Sequence, residues 1–223
     1  MKQCMAVMAL ALATTMIGAE TPTEMDGLPL VFSDDFTDGL DKWEMTDAKA
    51  WEANEMDGDR RLVLKGASDY DPPVRSPHNI AWIKDLNVGD FILDVDCKQT
   101  GKEYGHRDLC FFFNKQDPAH FYYVHLATTA DAHANSIFLV NDKPRVSIAK
   151  KRTDGTDWGK GPHKIRIKRD ATKGTIEVYF DHMKNPVMTT SDTHFTTGTI
   201  GLGSFDDTGW FDNVRVYGKS LPK

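Results

Sequence analysis

The sequence predicts an all-β sandwich, and three observations carry that expectation. Short β-type runs recur from about residue 30 to the end, separated by Gly, Pro, Asn and Asp. Two of them, Lys164-Ile165-Arg166-Ile167-Lys168 and Thr175-Ile176-Glu177-Val178-Tyr179-Phe180, alternate between core-type and water-type side chains. No window sustains a helical period over three turns; Ala48 to Met56 is the one stretch read as a turn or two of helix.

The chain opens on an export pattern. Lys2 supplies a positive charge, an apolar run extends from Met5 to Leu12 and loosely to Ile17, and Ile17-Gly18-Ala19 closes it with small residues. The run is too short to span a bilayer, which takes about 20 residues. Residues 1–19 are therefore expected to be a signal peptide cleaved near Ala19, giving a secreted or periplasmic protein. Cys4 precedes the apolar run, whereas a lipoprotein cysteine would follow it. Residues 20–29, with Pro22, Gly27 and Pro29, read as a short leader, and residues 30–223 as one domain.

A chain of this length buries a sizeable core without help from metals. The formal net charge is −6, and loss of Lys2 makes it one unit more negative. A mildly acidic surface gives no reason to expect nucleic acid or an anionic membrane as partner. No motif asks for an organic cofactor. Beyond the signal peptide two cysteines remain, Cys97 and Cys110, with no CxxC and no Cys/His set at zinc spacing. If 91–99 pairs antiparallel with 108–114, Cys97 opposes Cys110 and a disulfide worth roughly 3 kcal/mol can form. The alternative is two buried free thiols.

The strands differ in what they face. Leu109-Cys110-Phe111-Phe112-Phe113 and Phe121-Tyr122-Tyr123-Val124-His125-Leu126 are apolar or aromatic on both faces. Such strands are either covered twice, or core on one side and binding surface on the other. Placing Cys97 and Cys110 on one face puts Phe91, Leu93, Val95 and Phe112 in the core with Tyr122, Val124 and Leu126. Asp94, Asp96, Leu109, Phe111, Phe113, Phe121, Tyr123 and His125 then share the opposite face. Rings mixed with carboxylates and an imidazole suit a sugar, whose apolar faces stack while its hydroxyls hydrogen-bond. Tyr123, His125 and Phe111 are thus the expected ligand contacts, with His106, Arg107 and Trp210 at the rim. Trp158 reads as a second loop tryptophan, for stacking or for capping the core; Trp43, Trp51 and Trp82 read as core.

Both ends of the chain carry a resemblance. Val31-Phe32-Ser33-Asp34-Asp35-Phe36 and Gly39-Leu40-Asp41-Lys42-Trp43 stand near the start. Gly198-Thr199-Ile200-Gly201-Leu202-Gly203-Ser204 and Phe211-Asp212-Asn213-Val214-Arg215-Val216-Tyr217 stand near the end. These blocks resemble the concanavalin A-like lectin/glucanase superfamily: the first and last strands of glycoside hydrolase family 16, and also the 3-keto-disaccharide hydrolase and laminin G-like secreted bacterial domains. The resemblance implies a jelly roll of two antiparallel sheets with first and last strands adjacent, and a glycan or oligosaccharide as ligand. It also implies a structural calcium ion at Asp212, with the backbone near Asp34 and Asp35.

The hydrolase family works through a glutamate pair on one strand, in the pattern Glu-x-Asp-x-(x)-Glu. The nearest acidic strand here, Asp94-Val95-Asp96-Cys97-Lys98, has no glutamate. Asp94 and Asp96 share a face and, with His125, are the candidate acid/base groups; the alternative is two aspartates on an outer, solvated face. Three functions follow in order: a carbohydrate-binding module, free-standing or auxiliary to polysaccharide breakdown; a glycoside or 3-keto-disaccharide hydrolase; and a laminin G-like adhesion domain without a small ligand.

Overall fold

The computed structural model describes residues 21–66 and 68–222, so the expected signal peptide lies outside the described residues. The strands, in chain order, are β1 (Glu24–Met25), β2 (Leu28–Asp34), β3 (Trp43–Met45), β4 (Trp51–Met56), β5 (Asp59–Leu64), β6 (Asn79–Ile83), β7 (Val88–Gln99), β8 (Asp108–Asp117) and β9 (His120–Ala127). They continue with β10 (Ser136–Asn141), β11 (Val146–Ser147), β12 (Lys151–Arg152), β13 (His163–Asp170), β14 (Thr175–Phe180), β15 (Met188–Ser191), β16 (Thr199–Ser204) and β17 (Gly209–Ser220). The stretch read as a turn or two of helix holds one 3₁₀ turn, Ala48–Ala50, capped by the Asp47 carboxylate. Trp51 then enters β4, because its buried ring pairs opposite Leu64.

Two sheets face each other, and every strand pair is antiparallel. A ten-stranded sheet runs β1-β2-β17-β7-β13-β14-β15-β12, with β5 and then β4 added at the end of β17. A seven-stranded sheet runs β11-β10-β9-β8-β16-β6-β3. The first long strand, β2, pairs with the last, β17, so the two blocks that carried the resemblance lie side by side.

The main core fills the space between the sheets. Phe91, Leu93, Val95 and Cys97 of β7 and Ile165 and Ile167 of β13 point inward from the large sheet. Leu109, Phe111 and Phe113 of β8 and Tyr122, Val124 and Leu126 of β9 meet them from the small one. Phe91 packs edge-to-face on Phe113 at 5.6 Å, and Phe111 on Phe211 at 6.1 Å. Burying each such ring contributes roughly 1.5–3 kcal/mol. Trp158, in the loop between β12 and β13, is buried in this core against His163 and Phe180 and so caps it.

The alternation expected of β13 holds. Ile165 and Ile167 are inside, while Lys164 and Arg166 on the outer face sit in register with Asp96 and Asp94 of β7. Arg166 grips Asp94 with two bonds of 2.6 Å, and Lys164 lies 2.9 Å from Asp96. The candidate acid/base aspartates are thus cross-strand partners of basic residues.

The expected pairing of 91–99 with 108–114 is overturned. β7 belongs to the large sheet and β8 to the small one, so the loop between them crosses from sheet to sheet. Cys97 points into the main core, and Cys110 points away from it on the far face of β8. Both are free and buried, so there is no disulfide. With Cys110 outward, alternation reverses the face expected for β8: Leu109, Phe111 and Phe113 are core, and Phe112 is not part of it.

Candidate ligand-binding groove

The outer face of the small sheet carries a row of residues in direct register, one from each of six strands. Glu44 of β3 faces Trp82 of β6, which faces Gly201 of β16. Gly201 faces Phe112 of β8, then Tyr123 of β9, then Phe138 of β10. Period-two alternation puts all of them on one side. The row is apolar enough to form a second core. Tyr123 is sandwiched between Phe112 at 5.6 Å and Phe138 at 5.1 Å, both stacked. Val74 and Phe205 pack against this cluster, and the Arg145 guanidinium lies 4.3 Å above the Phe205 ring. Tyr123 is fully buried as a result.

The cover ends at Trp82. Two adjoining cavities, of about 610 and 210 Å³, share Trp82, Glu44 and Lys115 in their walls. The larger continues along Asn87, Gln116 and Thr197, and the smaller along Tyr70, Ser76 and Phe121. The indole stands edge-on to Phe112 at 5.4 Å and to Phe121 at 5.8 Å, which fixes its orientation. Gly201 makes room for it, since a Cβ there would come within 2.7 Å of the ring.

A backbone irregularity supplies the cation. β8 slips register against β16 and β9 beyond Phe113, where Asn114 takes a positive φ of 49°. Gly198 lies across from it at φ 141°, with no room for a Cβ: Asn114 and Lys115 backbone atoms would lie 2.5 Å away. The slip brings the Lys115 ammonium over the Trp82 ring, 4.5 Å from its centre. Burial draws the Lys115 pKa below the usual lysine range, against the pull of Glu44 and Asp117. The groove therefore offers a fixed aromatic ring, an exposed carboxylate that accepts hydrogen bonds, and an ammonium that donates them.

The residues expected to form a site are dispersed. Tyr123 and His125 do lie on the outer face of their sheet, but beneath the second core rather than in an open groove. Phe111 is inside the sandwich. Asp94 and Asp96 are on the outside of the other sheet, so neither stands near His125. Trp210 is also on that sheet, stacked under Arg61 at 4.3 Å. His106 pairs with Asp131 at 2.5 Å in an exposed loop. Arg107 is buried, reaching the Gly159 carbonyl at 3.5 Å and lying 3.8 Å from Glu103.

The residues expected to hold calcium lie on the paired edge of β2 and β17, where Asp34 is opposite Val214. Asp34 accepts from the Trp43 indole at 2.7 Å and from the Lys42 ammonium at 3.0 Å, so a cation already occupies it. Asp35 closes a local turn onto the Thr37 amide. Asp212 faces Asn213, Asp59 and Arg61; burial first, then the neighbouring Asp59 carboxylate, pushes its pKa up to about 7. Among the described residues, the one trio of metal-ligating side chains whose donor atoms converge is Asp108, Cys110 and His125.

Trp82 is buried, as expected of a core residue, at 5% exposed, and it belongs to the second cluster; what the sequence did not show is that two cavities border it. The signal for the second cluster was present in the alternation of Ile80-Ala81-Trp82-Ile83, which separates Ile80 and Trp82 from Ala81 and Ile83.

No family model matches the chain, and no curated protein does. Solved structures do. A carbohydrate-binding module of the CBM66 kind from Bacillus subtilis aligns with a TM-score of 0.56 at 16% identity, over 80% of this chain and 97% of that one. The metal-free form of lectin I-B4 from Griffonia simplicifolia aligns at 0.56 and 15%, over 84% and 98%. Domain 4 of AbnA, a GH43 extracellular arabinanase from Geobacillus stearothermophilus solved with arabinotriose, aligns at 0.54 and 12%, over 86% and 94%. At these identities the likeness is one of fold, and the chain has the concanavalin A-like jelly-roll fold.

Proposed function

We propose that the protein is an exported glycan-binding jelly-roll module whose ligand lies across Trp82. The observation that carries this reading is the meeting of two cavities at one oriented indole, with Glu44 and Lys115 on either side. A sugar ring presents an apolar face to stack and hydroxyls that both donate and accept. In the free protein Lys115 lies over the indole; an arriving sugar takes its place, and the ammonium moves aside to a hydroxyl. The structural neighbours, a carbohydrate-binding module, a lectin and a domain solved with arabinotriose, support the same ligand class. Binding is favoured over bond cleavage because Asp94 and Asp96 are held by Arg166 and Lys164 on the other sheet. The N-terminal pattern around Lys2 and Ala19 supports export.

A glycan array on the chain from Glu20 onward, with a reducing-sugar assay beside it, tests this reading. Oligosaccharide binding without product release is expected. Glu44→Gln and Lys115→Met should each weaken binding about tenfold, the loss of one charge-assisted hydrogen bond. Release of product, or undiminished binding by both variants, overturns the proposal.

A further inference from the structure

We infer that Asp108, Cys110 and His125 form a buried site for a divalent transition-metal ion of the zinc type. Asp108 and Cys110 are two apart on β8 and share its outer face, and His125 of β9 is directly opposite Cys110. Their donor atoms, a carboxylate oxygen, a sulfur and a ring nitrogen, all lie within 4.8 Å of one another. An ion bonded to all three would widen the 2.6 Å Nε2–Oδ2 contact to the ~3.3 Å edge of a tetrahedral site, and O, N and S together suit zinc.

The imidazole is the informative member. Its Nδ1 lies 3.1 Å from the carbonyl oxygen of His133, which can only accept, so Nδ1 carries the hydrogen. That backbone contact is the kind that orients a metal-bound histidine. Nε2 then turns its lone pair toward Asp108 Oδ2, 2.6 Å away but out of line for a hydrogen bond, at a residue 3% exposed. A lone pair and a carboxylate held this close in a dry interior need a cation between them. The only cations the geometry admits are a proton on Nε2 or a metal ion.

The surroundings favour the ion. Ser204 donates to the other oxygen of Asp108, leaving Oδ2 for the site, and the Cys110 thiol points at that same oxygen from 3.3 Å. Metal binding releases two protons to solvent, the thiol proton and the one that Nε2 carries in the metal-free protein. The divalent charge is then balanced by one thiolate and one carboxylate, so the buried site is neutral. Three protein donors leave a fourth tetrahedral position free. Phe205, 5.7 Å from the imidazole, closes the site from outside.

The test is to unfold the protein in chelator and refold it under reducing conditions with cobalt(II) or zinc; expression in cobalt-supplemented medium replaces refolding if recovery is poor. One ion per chain should survive desalting, with a thiolate-to-cobalt charge-transfer band. Cys97→Ser, the other buried thiol, should keep ion and band. Cys110→Ser should lose the band and weaken binding more than about tenfold. A parent protein that retains no stoichiometric ion holds a proton there instead and overturns the inference. So does a charge-transfer band that survives in Cys110→Ser.

Discussion

Gly201 is where a single missing side chain decides whether a site exists. Its neighbours in register are Trp82 and Phe112, and the indole occupies the volume that a Cβ would take. Gly201→Ala should therefore push the indole from its place between Phe112 and Phe121. The expected cost is about 1–3 kcal/mol in denaturant unfolding, together with a loss of glycan affinity. Asp212 gives a different kind of prediction. Its pKa rises to about 7 in the folded chain from an ordinary value near 4, so the folded state binds more protons than the unfolded state between those limits. Stability from this group therefore falls as the pH rises from about 4 to about 7. Asp212→Asn keeps an acceptor for the Asn213 amide and removes the charge. The variant should be more stable than the parent at pH 7, and the gap should close toward pH 4 in thermal melts.

The β8 strand shows what alternation fixes and what it leaves free. Its two-sided apolar character was legible, but that left open a strand covered twice or one with a binding face, and the structure covers it twice. Which face turned inward was not, because Leu109-Phe111-Phe113 and Cys110-Phe112 are both hydrophobic enough for a core. The expected cysteine pair was used to break that tie, and it broke it the wrong way, since β7 and β8 lie in different sheets. By contrast, β13 alternates charge with isoleucine, leaving one arrangement, and it was read correctly. The trio on β8 and β9 had no spacing motif to find, because Cys110 and His125 meet only through strand register. The cysteine assignment has a direct check. Burial raises both thiol pKa values well above the usual cysteine range. A thiol reagent added without metal should leave Cys97 and Cys110 untouched in the native protein and modify both in denaturant, without prior reduction. A requirement for reductant would restore the disulfide.

Across the whole molecule the two sheets divide the labour. The outer face of the ten-stranded sheet is laced by ion pairs, with Asp94 on Arg166, Asp96 on Lys164 and Asp26 on Lys168. The outer face of the seven-stranded sheet is aromatic, covered over Tyr123 and bordered by two cavities at the buried Trp82. Both general features, the jelly roll and the location of an aromatic outer face on β9, were legible in the sequence. The covering of that face was not, because Val74, Arg145 and Phe205 come from loops far apart in the chain. The division makes a prediction for the large sheet. Asp94→Asn should lower stability, since the Arg166 guanidinium loses a charged partner, yet leave glycan affinity at the parent value. The most direct measurement of the central claim is the indole N–H spectrum of the isotope-labelled protein, with Trp82 identified from Trp82→Phe. A saturating oligosaccharide should shift the Trp82 resonance most, while Trp210, on the opposite sheet, stays in place. A shift confined to Trp210, with Trp82 unmoved, would put the ligand on the other face and contradict the account.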